Sequence, residues 1–170
     1  MPYTVDDYGD AINGVNHPFE HRTLAAALLQ HRVPIETVQH VNQWQFGQSM
    51  PTSGAYRYTD RSARFQAPRP SAMFNDHLVG SNPLQGRRIL VHEMHHASQH
   101  RVNPQQFEEA LFDRQKRGRV EAYAENEADR RVPGSVSAYD RLVSSGQNRR
   151  FSDQSYRSVR RQPGAPTTDQ

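Results

Sequence analysis

Four of the nine histidines fall between positions 92 and 100, three of them in the run Ile89-Leu90-Val91-His92-Glu93-Met94-His95-His96-Ala97. The His-Glu-x-x-His spacing at 92–96 demands a helix, because a helix brings positions i and i+4 to one face, where two imidazoles can meet one cation. Glu93 projects about 100° further round, beside such a cation rather than against it. From there a carboxylate can take a proton from water whose pKa a zinc ion has lowered to about 7. Chance supplies this spacing about 0.02 times in a chain of this composition. The flanking Leu90, Val91, Met94 and Ala97 carry no charge and read as packing groups. His95 points elsewhere and is expected to be structural. His100 extends the ligand face but lies about 6 Å further along the axis, which makes it a weak candidate for a third ligand.

A catalytic zinc takes three protein ligands and keeps one position open. The chain has no cysteine, which excludes disulfides, Cys-ligated zinc fingers, iron–sulfur clusters and thiol nucleophiles. Candidate donors lie in Arg119-Val120-Glu121-Ala122-Tyr123-Ala124-Glu125-Asn126-Glu127-Ala128-Asp129. Glu121 shares a helical face with Glu125, and Glu125 with Asp129, while the alanines between them permit a close approach to the histidine helix. Any one of these acids alone reads more simply as part of a solvated face; paired with the upstream motif, the segment is expected to supply a ligand, from Glu121 or Glu125.

With these residues the chain resembles the zincin metallopeptidases over about 89–131, specifically the gluzincin arrangement in which two histidines on one helix are joined by a Glu on a later helix. It is similar to small bacterial effector and toxin peptidases, in which a Glu-Ala-x-Ala helix supplies the ligand; that pattern falls on Glu121. A thermolysin-like ligand followed by Asp four residues later would fall on Glu125 with Asp129. The metzincin pattern fails, since Gln99 and Val102 stand where Gly and His are required. The resemblance implies a zinc-dependent peptidase in which His92, His96 and Glu121 hold Zn2+ and Glu93 is the general base, with Tyr123 or another His as oxyanion stabiliser. It also implies a protein or peptide substrate and a bacterial effector or toxin with a cognate immunity or secretion partner. A zinc hydrolase cutting peptidoglycan peptides and a non-catalytic zinc module are the alternatives.

At 170 residues with 34% hydrophobic content, one domain with a modest core is expected. The pattern predicts an α+β, mainly helical domain over 1–146, with helices at about 18–31, 34–44, 84–101, 104–118 and 119–131 and a further turn or two at 136–143. A small sheet over 55–79 is predicted from strands near 55–59, 63–67 and 71–79. Residues 147–170, rich in Arg, Ser and Gln, are expected to form a flexible tail. The small net charge of +3 and the lack of a binding motif around the Arg-rich run argue against a nucleic-acid partner. No apolar run is long enough to span a bilayer. The acidic, polar start shows no secretory signal, so the chain is expected to be cytoplasmic in the producer and exported, if at all, by a specialised system.

Overall fold

The computed structural model describes residues 2–12, 18–47, 54–57, 70–75 and 82–161. It is a mostly helical α+β structure with one three-stranded sheet. Helices α1 (Val5–Ala11), α2 (Pro18–Gln30) and α3 (Ile35–His40) precede the strands β1 (Gln43–Gly47), β2 (Gly54–Arg57) and β3 (Ser71–Asn75). Five helices follow: α4 (Pro83–Val102), α5 (Pro104–Phe112), α6 (Arg114–Arg131), α7 (Ala138–Ser144) and α8 (Asp153–Arg160). Among the described residues no helix is long and apolar enough to cross a membrane.

Side-chain caps set the helix boundaries that matter for the site. Asn82 accepts a hydrogen bond from the Gln85 N–H and Pro83 occupies the first turn of α4, a position where its missing N–H costs nothing. Asn103 ends α4 and caps α5 through the Gln106 N–H. Asp113 then accepts from the Gln115 and Lys116 N–H groups and starts α6. The break between the last two long helices therefore falls at Asp113, and not at Gly118 as the glycine suggested. Gly118 sits inside α6 because α8 crosses it there: a Cβ at this position would lie 2.7 Å from the Ser152 carbonyl oxygen and 3.2 Å from the Tyr156 nitrogen.

The sheet order is β1-β3-β2, with β1 parallel and β2 antiparallel to β3. Two predicted strands overlap β2 and β3, while 63–67 lies outside the described residues. The predicted helix at 34–44 is two elements, α3 and β1. Its end is a strand because Trp44 and Phe46 alternate with exposed Gln43 and Gln45, a period of two rather than 3.6. Trp44 and Phe46 pack on Phe74 and, with Leu24, Leu28, Val38, Leu90 and Met94, form the main core between the N-terminal helices, the sheet and one face of α4. The opposite side of α4 receives α6.

Of the tail expected over 147–170, the part up to 161 is corrected by α8, and 162–170 lies outside the described residues. Ser152 caps this helix, and Phe151, Tyr156 and Val159 are buried with Ala122 and Val143 in a second apolar cluster. Ala at an exposed helical glycine normally stabilises a protein by about 1 kcal/mol. Gly118→Ala is expected to do the opposite, costing about 1–3 kcal/mol because backbone atoms of α8 must move; a thermal melt reads the sign directly.

Candidate metal centre

Helices α4 and α6 run antiparallel, and each presents a row of polar side chains at four-residue spacing to the other. Arg88, His92 and His96 on α4 meet Asp129, Glu125 and Glu121 on α6. A small residue serves the contact: Ala128 on α6 packs with Val91 on α4, which lets the helices come close enough for short side chains to touch across the gap.

The three atoms that a cation would use converge. His92 Nε2 lies 3.0 Å from Glu121 Oε2, His96 Nε2 lies 3.2 Å from the same oxygen, and the two imidazole nitrogens are 3.0 Å apart. A tetrahedral zinc with ligands at ~2.1 Å spaces its donors about 3.4 Å apart, so a few tenths of an ångström of relaxation would seat one. The charge balance fits as well. Glu121 is 6% exposed, and its only ion-pair partners among the described residues are the two imidazoles. A buried carboxylate needs a cation or several donors. Burial raises the Glu121 pKa, but the positive charge His96 can carry and hydrogen bonds from both histidines outweigh it and hold the group well below the usual carboxylate range. Burial likewise opposes a proton on His92, yet Glu121 and Glu125 hold its pKa well above the ordinary value. The pocket thus attracts positive charge, which a divalent ion supplies.

Glu125, the other candidate ligand, takes a different position. Its Oε1 lies 2.6 Å from His92 Nδ1, off the axis of a linear hydrogen bond, while its Oε2 accepts from the buried Arg88 guanidinium. Arg88 also donates to Asp129 at 2.6 Å. Burial raises the Glu125 pKa; His92 and Arg88 overcome that and bring it down to about 2. Glu125 therefore stands behind His92 and fixes its ring, as carboxylates behind metal-binding imidazoles do. Glu121→Ala is expected to abolish tight zinc binding and Glu125→Ala to weaken it by roughly 10–100-fold; a chelator-competition titration ranks the two, and the reverse order would make Glu125 the ligand.

Glu93 lies outside the converging trio. Its Oε2 accepts the Tyr56 backbone N–H at 2.8 Å, which ties the histidine helix to the edge strand β2. Close approach is possible because residue 54 is glycine: a Cβ there would sit 2.4 Å from Ile89 Cγ2. The Tyr56 hydroxyl meets His40 Nε2 at 2.9 Å and His100 Nδ1 at 2.8 Å, and His100 Nε2 lies 3.3 Å from Glu108. His100 thus belongs to the strand anchor and not to the trio. His95 faces away, beside Val33, Met94, Glu127 and Arg131, where burial keeps it neutral with a pKa down to about 3.

Tyr123 packs against the second apolar cluster. The tyrosine beside the trio is Tyr139 of α7, its ring centroid 5.6 Å from that of His92. Burial and the negative charges of Glu121 and Glu93 raise its pKa, so it stays a neutral hydroxyl able to donate. Nothing in the Ser137-Ala138-Tyr139 sequence signalled this, because the position arises from the turn between α6 and α7. The chain matches no protein-family description, no curated protein and no solved structure.

Proposed function

We propose that the chain is a zinc-dependent peptidase of gluzincin arrangement. The observation that carries this reading is the convergence of His92, His96 and Glu121 within 3.2 Å, with a fourth polar group, Glu93, buried beside them and not among them. The three would hold the ion. When bound, it supplies Lewis acidity toward a carbonyl oxygen and makes water more acidic.

The remaining chemistry belongs to the chain. Tyr56 N–H holds Glu93 Oε2, which leaves Oε1 to take the proton of the attacking water and pass it to the departing amine. Tyr139, neutral and next to His92, would donate to the oxyanion, the role for which the sequence offered Tyr123 or a His outside the motif. Strand β2 brings a sheet edge to the same place, where an extended peptide can add, although the Tyr56 N–H is already engaged by Glu93. Resemblance to effector and toxin peptidases extends the proposal to a protein target in another cell and to an immunity or secretion partner.

A second reading has its own observation. His92, His96 and Glu121 are all 6% exposed or less, the enclosure expected of a structural zinc, so a non-catalytic zinc module is the rival. The zinc-loaded protein and Glu93→Gln are to be incubated with a proteome-derived peptide mixture and, separately, with purified peptidoglycan. New peptide amino termini made by the wild type alone support the peptidase. Release of stem peptides only from peptidoglycan redirects the reading to a cell-wall hydrolase, and no zinc-dependent cleavage in either leaves the module.

A further inference from the structure

Behind His92 the polar contacts do not stop at Glu125. Arg88 is shared between Glu125 through Nη2 and Asp129 through Nη1. The second oxygen of Asp129, Oδ2, accepts from Arg160 Nη1 of α8 at 2.7 Å. Arg160 is anchored in turn by Asn126 at 2.7 Å and by both oxygens of Asp140, at 3.0 Å from Nε and 2.5 Å from Nη2. Tyr156, one turn earlier on α8, donates to Asp140 at 2.6 Å and lies 3.5 Å from the Ser137 hydroxyl. A continuous set of charged contacts thus joins a residue of the last described helix to the back of His92.

We propose that Arg160 is a positioning residue for the metal centre and that α8 is an integral part of it, acting through Asp129, Arg88 and Glu125 on the orientation of the His92 ring. This rests on the metal reading above, and concerns how the chain holds the ion rather than what it hydrolyses. The physical reason is geometric. A guanidinium has a rigid planar fork; one arm of Arg88 holds Glu125, and the other donates to Asp129 at 2.6 Å, its charged anchor, and to the Ser135 hydroxyl at 3.0 Å. Asp129 is half-exposed and is fixed from the far side by Arg160. Without Arg160, Asp129 can rotate into water, that arm of Arg88 keeps only the neutral Ser135 hydroxyl, and the hold on Glu125 behind His92 loosens. Networks of this kind carry coupling that single contacts do not.

The test measures zinc affinity of the full chain by competition with a chromophoric chelator, so it needs no substrate. Carboxylates directly behind a ligand are worth about 10–100-fold in affinity; Arg160→Ala, further removed, is expected to weaken zinc binding by about three- to tenfold. Arg157→Ala, which removes a contact between α8 and the Val143 carbonyl outside the network, is expected to stay within about twofold. In a Glu125→Gln background Arg160→Ala should add almost nothing, because the connection to His92 is already cut. An equal loss in both backgrounds would reduce α8 to general support and overturn the proposal, as would an unchanged affinity in Arg160→Ala. Circular dichroism checks the fold; if Arg160→Ala does not fold, Arg160→Lys takes its place in the same comparison, since one ammonium cannot hold Asn126, Asp129 and Asp140 at once. A wild type that binds no zinc removes the metal reading and this proposal together, an outcome distinct from a wild type that binds and variants that do not differ.

Discussion

Glu93→Gln is expected to keep the fold and the zinc while lowering hydrolysis by at least about 10²–10⁴-fold, the usual worth of a general acid–base group. The amide is nearly isosteric with the carboxylate, and its oxygen can still accept the Tyr56 N–H that Glu93 Oε2 accepts at 2.8 Å. It cannot accept a proton at neutral pH, so both the activation of water and the protonation of the leaving amine fail. On the free-energy scale this corresponds to roughly 3–5 kcal/mol of barrier. A loss below about tenfold with zinc occupancy unchanged would mean that Glu93 is not the base.

Removal of the metal is expected to lower the melting temperature sharply. Without an ion, the site leaves Glu121 buried beside His92 and His96, and the cost of desolvating that carboxylate falls on the two imidazoles. A ligand present at a thousand times its dissociation constant stabilises the folded state by about 4 kcal/mol. For a chain of this size each kcal/mol moves the melting temperature by about 2–4 °C, so stripping with a chelator should lower it by roughly 8–16 °C. Restoring one equivalent of zinc should reverse the shift, and His92→Ala should melt at the same temperature with and without the chelator.

How much of this was legible in the sequence varied with the kind of signal. The histidine helix was, because its caps at Asn82-Pro83 and Asn103-Pro104 are chemical and local, and because i and i+4 on a helix share a face whatever the surroundings. The choice between Glu121 and Glu125 was not, since both lie on one face of α6 and only the register of α6 against α4 separates them. Arg88 sets that register: it stands one turn before His92 and takes Glu125 and Asp129, leaving Glu121 opposite the two imidazoles. Had Arg88 been read as the third member of the row 88, 92, 96, the antiparallel match with 129, 125, 121 would have been visible. The last helix was hidden by composition. Its outer face is Arg, Ser and Gln, while Tyr156 and Val159, three residues apart, form its buried side, and the glycine that receives it stands 34 residues earlier at position 118. Trp44 continues the apolar spacing of Val38 and Val41, so the 34–44 helix extends too far; the alternation with Phe46 that makes it a strand residue starts only at the end of that segment.

The most direct measurement is the zinc content of the folded chain by native mass spectrometry, for the wild type and for His96→Ala, each purified after zinc loading and removal of excess metal. One zinc per chain in the wild type and none in His96→Ala is the expected result, because His96 supplies one of the three donors that converge among the described residues and the chain has no cysteine to replace it. A full equivalent of zinc retained in His96→Ala, or no zinc bound by the wild type, would contradict the assignment of His92, His96 and Glu121 as a metal centre.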